Sequence, residues 1–173
     1  DTIAKAVKAG KTEKYKVGDT KEVDLGTYGK HMVRISNMST PDECSQEGFS
    51  QSACGFVVEF TDIITTHNMN PSGEYKGTTY NSGWNKDEWP KSQMKTFIDN
   101  DIYNSLPNEL KRVIIDTKTV SGHGSEDTDN FTTTDKLYLL APKEIYSDWS
   151  EQFDSAKDLT RQLDYYEGVT TNS

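Results

Sequence analysis

The stretch from Tyr80 to Ile98, YNSGWNKDEWPKSQMKTFI, constrains the fold more than any other part of the chain. Trp84 and Trp89 sit in a polar, turn-rich loop, and a helix is expected to start directly after the second. Pro90 suits the first helical position, where a missing N–H costs nothing. Met94, Phe97, Ile98 and Ile102 then recur at three- and four-residue spacing, which draws one apolar stripe. Large aromatics in a polar loop beside a rigid helix either pin the loop to a core or present a binding surface. Trp89 abuts the helix start and reads as core; Trp84, between glycine and asparagine, can face either way.

Around that segment the pattern predicts one mixed α+β domain. Residues 1–14 read as a short N-terminal helix and lead-in, residues 15–167 as the core and residues 168–173 as a flexible tail. Strands are expected over Lys21–Leu25 and His31–Met38, joined by Gly26-Thr27-Tyr28-Gly29. Phe56, Val58 and Phe60 alternate with Val57, Glu59 and Thr61, which predicts a central strand. The helix after Pro90 runs to about Tyr103, and Pro107 opens another that ends near Ile115. Their stripes (Met94, Phe97, Ile98, Leu110, Val113 and Ile114) are expected to pack on the sheet. Thr117–Val120 reads as extended, Lys136–Leu140 as a strand, Pro142–Tyr146 as a helical turn and Ser155–Tyr166 as an amphipathic helix. The sheet is expected to be mixed or antiparallel, with two to four helices.

With 173 residues the chain is long enough to bury a real core. No apolar run approaches the eighteen or so residues of a membrane helix, so no membrane insertion is expected. A formal charge of −9 argues against nucleic acid or anionic lipid as the main partner. Cys44 and Cys54 flank a short loop of Gln, Gly and Ser. They read either as a disulfide that is geometrically easy to close or as two small buried thiols. The acidic, Thr/Ser/Asn/Tyr-rich composition favours the exterior of a cell, where such a bond persists.

Trp84, Tyr75 and Tyr80 with Asn81, Asn85 and Asp87 offer stacking faces beside hydrogen-bonding groups, the equipment of a sugar-binding site. Asp127, Asp129 and Asn130 place oxygen ligands of the kind calcium takes close together. They lack the EF-hand spacing, and Asp/Asn clusters are also ordinary turn formers. No other cofactor is indicated. His31, His67 and His123 lie in unrelated settings, and no nucleophile elbow accompanies Ser121 or Ser125. Neither cysteine carries a local activating signature.

Several blocks together carry a resemblance. They are Tyr15-Lys16-Val17-Gly18-Asp19-Thr20-Lys21, Phe56–Phe60, Asn81-Ser82-Gly83-Trp84, Ser92–Ile98, Ile102–Pro107 and Thr133–Leu140. In this order they resemble an uncharacterised extracellular domain family of Gram-positive gut bacteria, a domain of unknown function. Its pattern is similar to C-type-lectin-like folds. In relatives the pattern continues into a segment resembling Trp-Trp-Leu-Arg-Ser and further strands, where this sequence reads Gly168–Ser173. The resemblance therefore implies a lectin-like fold incomplete at the C-terminus, or a sheet closed differently. The function expected is a secreted or cell-surface binding or adhesion domain without catalysis, recognising a glycan or a surface protein through residues 65–89. The alternatives are a structural display module of a larger surface protein and an unflagged hydrolase.

Overall fold

The structure, a computed structural model, describes residues 2–70, 73–75, 78–80, 89–123, 129–150 and 158–173. It is a small single-domain α+β fold built on antiparallel pairing. Helix α1 (Thr2–Lys8) precedes strands β1 (Thr20–Asp24), β2 (Lys30–Asn37) and β3 (Val57–Phe60), which form one sheet in the order β1-β2-β3. The β1–β2 connection turns through Gly26–Tyr28 and closes with a hydrogen bond from the Leu25 amide to the Gly29 carbonyl. Gly26 and Gly29 have φ of +61° and +81°, which side-chain-bearing residues rarely adopt. Strands β4 (Gly73–Tyr75) and β5 (Thr78–Tyr80) pair as a hairpin, and β6 (Thr117–Ser121) with β7 (Phe131–Asp135) as a ribbon.

Between them, α2 (Gln93–Phe97), a wider turn over Ile98–Ile102 and α3 (Tyr103–Ser105) run on as one helical rod. Ser92 starts it: its hydroxyl accepts the Lys95 amide at 3.0 Å and so caps a free N–H. The rod stops at Leu106, whose extended backbone is what a following proline requires. Helix α4 (Asn108–Lys111) is a single turn, shorter than the expected run to Ile115, and the Val113 and Ile114 amides follow it with bonds to the Leu110 carbonyl.

Two clusters make the core. Val23, Leu25 and Leu106 gather Val33, Phe60, Leu110 and Ile114; Trp89, Ile98 and Ile102 gather Met69, Met94 and Phe97. Tyr28, Ile64 and Leu137 touch both and join them. The helical stripe is therefore divided. Leu110 and Ile114 lie with Phe60, whereas Met94, Phe97 and Ile98 pack around Trp89.

Four expectations are corrected. Among the described residues β3 is an edge strand rather than a central one, and Val58 is 43% exposed. Residues 136–140 are not a strand; the ladder forms one block earlier, over Phe131–Asp135, where Thr119 and Thr133 stand opposite each other. Residues 158–163 are non-helical, and only Asp164–Tyr166 makes a 3₁₀ turn. Finally, residues 168–173 are bound to the body. The Val169 carbonyl accepts from the Ser147 amide and from Gln162 Nε2, and Asp148 accepts from the Thr171 amide and hydroxyl.

Candidate functional site

Strand alternation decides the faces of β3. Glu59 turns to one side and is bound by Arg34 at 2.7 Å and by the Tyr166 hydroxyl at 2.9 Å. Val58 and Phe60 turn to the other side, and β3 with residues of both faces, Glu59 included, lines a groove of about 1440 Å³. The opposite wall is built by α4 and the residues after it (Leu110, Val113, Ile114, Ile115), and Leu137–Leu140 close one end. Ile63, Ile64 and His67 form the rim on the third side. Ile63 is 81% exposed, Ile115 72% and Leu139 49%. Large exposed apolar patches are uncommon on a monomer. Periodicity picked out Phe56, Val58, Phe60, Leu110, Val113 and Ile114 of this lining, together with the stripe Met94, Phe97, Ile98 and Ile102, and all as core. Ile63, Ile115, Leu139 and Leu140 carried no signal of exposure.

The aromatic segment leaves and returns beside this groove. His67 stacks on Phe97 with ring centroids 4.1 Å apart, and the Met69 carbonyl accepts the Met94 amide at 3.1 Å. Of the sugar-site candidates, Asn81, Trp84, Asn85 and Asp87 lie outside the described residues. Tyr75 and Tyr80 fall in β4 and β5, where Tyr75 pairs with Thr78 and Gly73 with Tyr80. Directly paired residues share a face and the period is two, so positions 75 and 80 belong to the same face of the hairpin.

Trp89 closes the segment and is buried. Its Nε1 donates to Asp135 at 3.3 Å, and Asp135 also accepts from Lys95 Nζ at 2.6 Å and from the Thr119 and Thr133 hydroxyls. Burial alone would push this carboxyl up. The Lys95 ammonium, the two hydroxyls and the indole together outweigh burial and hold it below the usual carboxylate range. One buried carboxylate thus ties Trp89, the rod and the β6–β7 ribbon together.

Cys44 and Cys54 are bonded to each other, and the buried Asn37 anchors their loop. Asn37 Nδ2 donates to the Ser39 and Gly55 carbonyls, and Arg161 Nη1 donates to Asn37 Oδ1 and the Ala53 carbonyl. Asp164 accepts the Met38 and Ser39 amides, and its pKa falls to about 2. Burial opposes that fall, and the amides, the Ser39 hydroxyl and Arg161 overcome it. Below the loop lies the buried Glu144. It accepts from the Ser52 and Thr160 hydroxyls at 2.6 and 3.0 Å and from the Ala141 amide at 2.8 Å. Burial pushes its carboxyl up. Spacing offered no sign of either network, because the contacts that join their parts, Ser52 to Glu144, Arg161 to Asn37 and Asp164 to Ser39, run between residues about a hundred apart in sequence.

For calcium, Asp127 lies outside the described residues, and Asp129 and Asn130 precede β7. Among the described residues no group of three His, Cys, Asp or Glu side chains is placed to hold a metal ion. His31 bonds Asp62, His67 stacks on Phe97 and His123 is buried near β6, so the three do not converge.

A family model described as a domain of unknown function, DUF6273, matches residues 61–172. The chain belongs to that family. No curated protein and no solved structure matches it. The matched residues begin directly after β3. One wall of the groove therefore comes from the sheet that precedes the match, and the opposite wall and rim come from within it.

Proposed function

We propose that this DUF6273 domain is a non-catalytic binding module displayed outside the cell, whose groove takes an extended, apolar stretch of a protein partner. The observation that carries the reading is the open aliphatic row of Val58, Ile63, Ile115, Leu139 and Leu140 along the groove beside the edge strand β3. An edge strand presents unpaired N–H and C=O groups, and an added strand satisfies them while its alternate side chains fill apolar pockets. The Cys44–Cys54 bond and the acidic composition support an oxidising, exported setting. Panning a random peptide library tests the reading. Selected peptides should alternate apolar and polar residues and shift the NMR signals of Val58, Ile63 and Leu139 on binding. They should be lost with Val58→Asp. Selected peptides that shift signals elsewhere, or no selection at all, would refute it. Turnover on a glycoside, ester and peptide substrate panel that one Asp, Glu, Ser, Cys or His replacement abolishes would refute the non-catalytic part.

A second reading is supported by the register of the β4–β5 hairpin, which assigns Tyr75 and Tyr80 to one face. Tyrosines at two positions of one face suit the apolar faces of a sugar, and Trp84 with Asn81, Asn85 and Asp87 would complete such a glycan site. A glycan array separates the two readings. Specific binding lost in Tyr80→Ala and Trp84→Ala but kept in Val58→Asp would move the function to this segment.

A further inference from the structure

His31 lies on β2 with both ring nitrogens facing oxygen. Nε2 is 2.7 Å from the Tyr28 carbonyl oxygen, and Nδ1 is 3.1 Å from both carboxylate oxygens of Asp62. A carbonyl oxygen only accepts, so Nε2 carries a hydrogen. A neutral imidazole has one N–H, and its other nitrogen would then turn a lone pair towards the Asp62 carboxylate. Both bonds hold together only in the imidazolium. We propose that His31 is a pH-sensitive latch. As a cation it ties Asp62 to the Gly26–Tyr28 turn, and when it loses its proton Asp62 swings into solvent and the groove rim that follows loosens.

The surroundings favour this. The His31 side chain is 10% exposed and packs edge-on against Phe60, whereas Asp62 is 58% exposed and free to leave. From β1, Val23 stands opposite His31, flanked by Glu22 and Asp24; Lys30 precedes His31 on its own strand, and the turn adds the Tyr28 phenol. Asp62 and the Tyr28 carbonyl are the two hydrogen-bond acceptors of the ring among the described residues. The Asp62 bond, then the Tyr28 carbonyl, raise His31 above its ordinary value, with burial opposing. The sign follows. The latch is fully closed below the unfolded histidine value of about 6.5 and opens as pH rises through the higher folded value. The Thr61 amide remains on the Met32 carbonyl throughout, so opening starts at residue 62. Ile63, next in the chain, is the most exposed residue of the rim.

NMR titration of the intact domain tests this, with three histidine ring signals to follow. His31 should titrate above the ordinary value and fall back towards it in Asp62→Asn, while His67 and His123 stay unchanged between the two proteins. The Asp62 and Ile63 amides should shift with the His31 midpoint in the wild type and be flat across it in Asp62→Asn. A His31 midpoint at or below the ordinary value would overturn the latch. So would Asp62 and Ile63 amides that ignore the His31 titration, or three histidines that respond together to Asp62→Asn. Peptide binding plays no part in this readout, so the latch and the groove reading fail separately.

Discussion

Replacing Asp135 by alanine removes the single acceptor shared by Trp89, Lys95, Thr119 and Thr133. Thr119 and Thr133 still reach each other at 2.9 Å, and Lys95 still reaches Asp99 at 2.8 Å, so the loss is partly absorbed. The indole N–H is left buried without that acceptor, and the ammonium loses its fully buried counter-charge. Breaking a buried pair from one side costs about 3–5 kcal/mol. With a urea m-value of about 2 kcal/mol/M, the unfolding midpoint should fall by roughly 2 M. Asp135→Asn keeps an oxygen for the hydroxyls and should lose less. The two also differ with pH. Because the folded Asp135 carboxyl sits below its ordinary value, its contribution is present above the unfolded value of about 3.9 and disappears as pH falls through the folded one. Wild-type stability should therefore drop below about pH 4 more steeply than that of Asp135→Asn. Urea titrations at a series of pH values measure both quantities. A loss under about 1 kcal/mol in Asp135→Ala, or parallel acid limbs for wild type and Asp135→Asn, would refute the account of the hub.

Reducing the Cys44–Cys54 bond, or replacing both residues by serine, should cost about 2–3 kcal/mol through the freed unfolded chain, measured as a urea midpoint shift. Glu144→Ala should cost about 2–3 kcal/mol by leaving the Ser52, Thr160 and Ala141 donors unpaired. Burial raises Glu144, so wild-type stability should fall as pH rises through its folded value, a slope that thermal melts of Glu144→Gln should lack. Leu25→Ala, at a fully buried core position, should cost about 2–5 kcal/mol in the same urea assay. Val58→Asp, at the open groove face, should change stability by less than about 1 kcal/mol; a larger loss would place Val58 in the core.

The sequence by itself determined what each segment wants to bury. The alternation in β2 and the stripe Met94–Ile102 became the elements they announced, and Trp89 lies in the core beside them. The helix starts later than Pro90 announced: Pro90 lies in a 3₁₀ turn over Trp89–Lys91, and Ser92 caps the helix that opens at Gln93. Cysteine spacing left the pairing open, and only the folded loop brings Cys44 and Cys54 together. Where apolar period and tertiary pairing disagreed, pairing won. Lys136–Leu140 reads as a strand, yet the ladder with β6 takes the threonine-rich Phe131–Asp135, where Thr133 and Asp135 meet Thr119, Trp89 and Lys95. The stripe Leu159–Leu163–Tyr166 reads as a helix. Arg161 and Asp164 instead tie the non-helical residues 158–163 and the 3₁₀ turn after them to Asn37, Ser39 and Ala53, more than a hundred residues away in sequence. The open groove belongs to the same class of fact. A row of aliphatic residues reports the same local preference whether it lies inside a core or along an unfilled edge, and only the placement of β3 against α4 decides which.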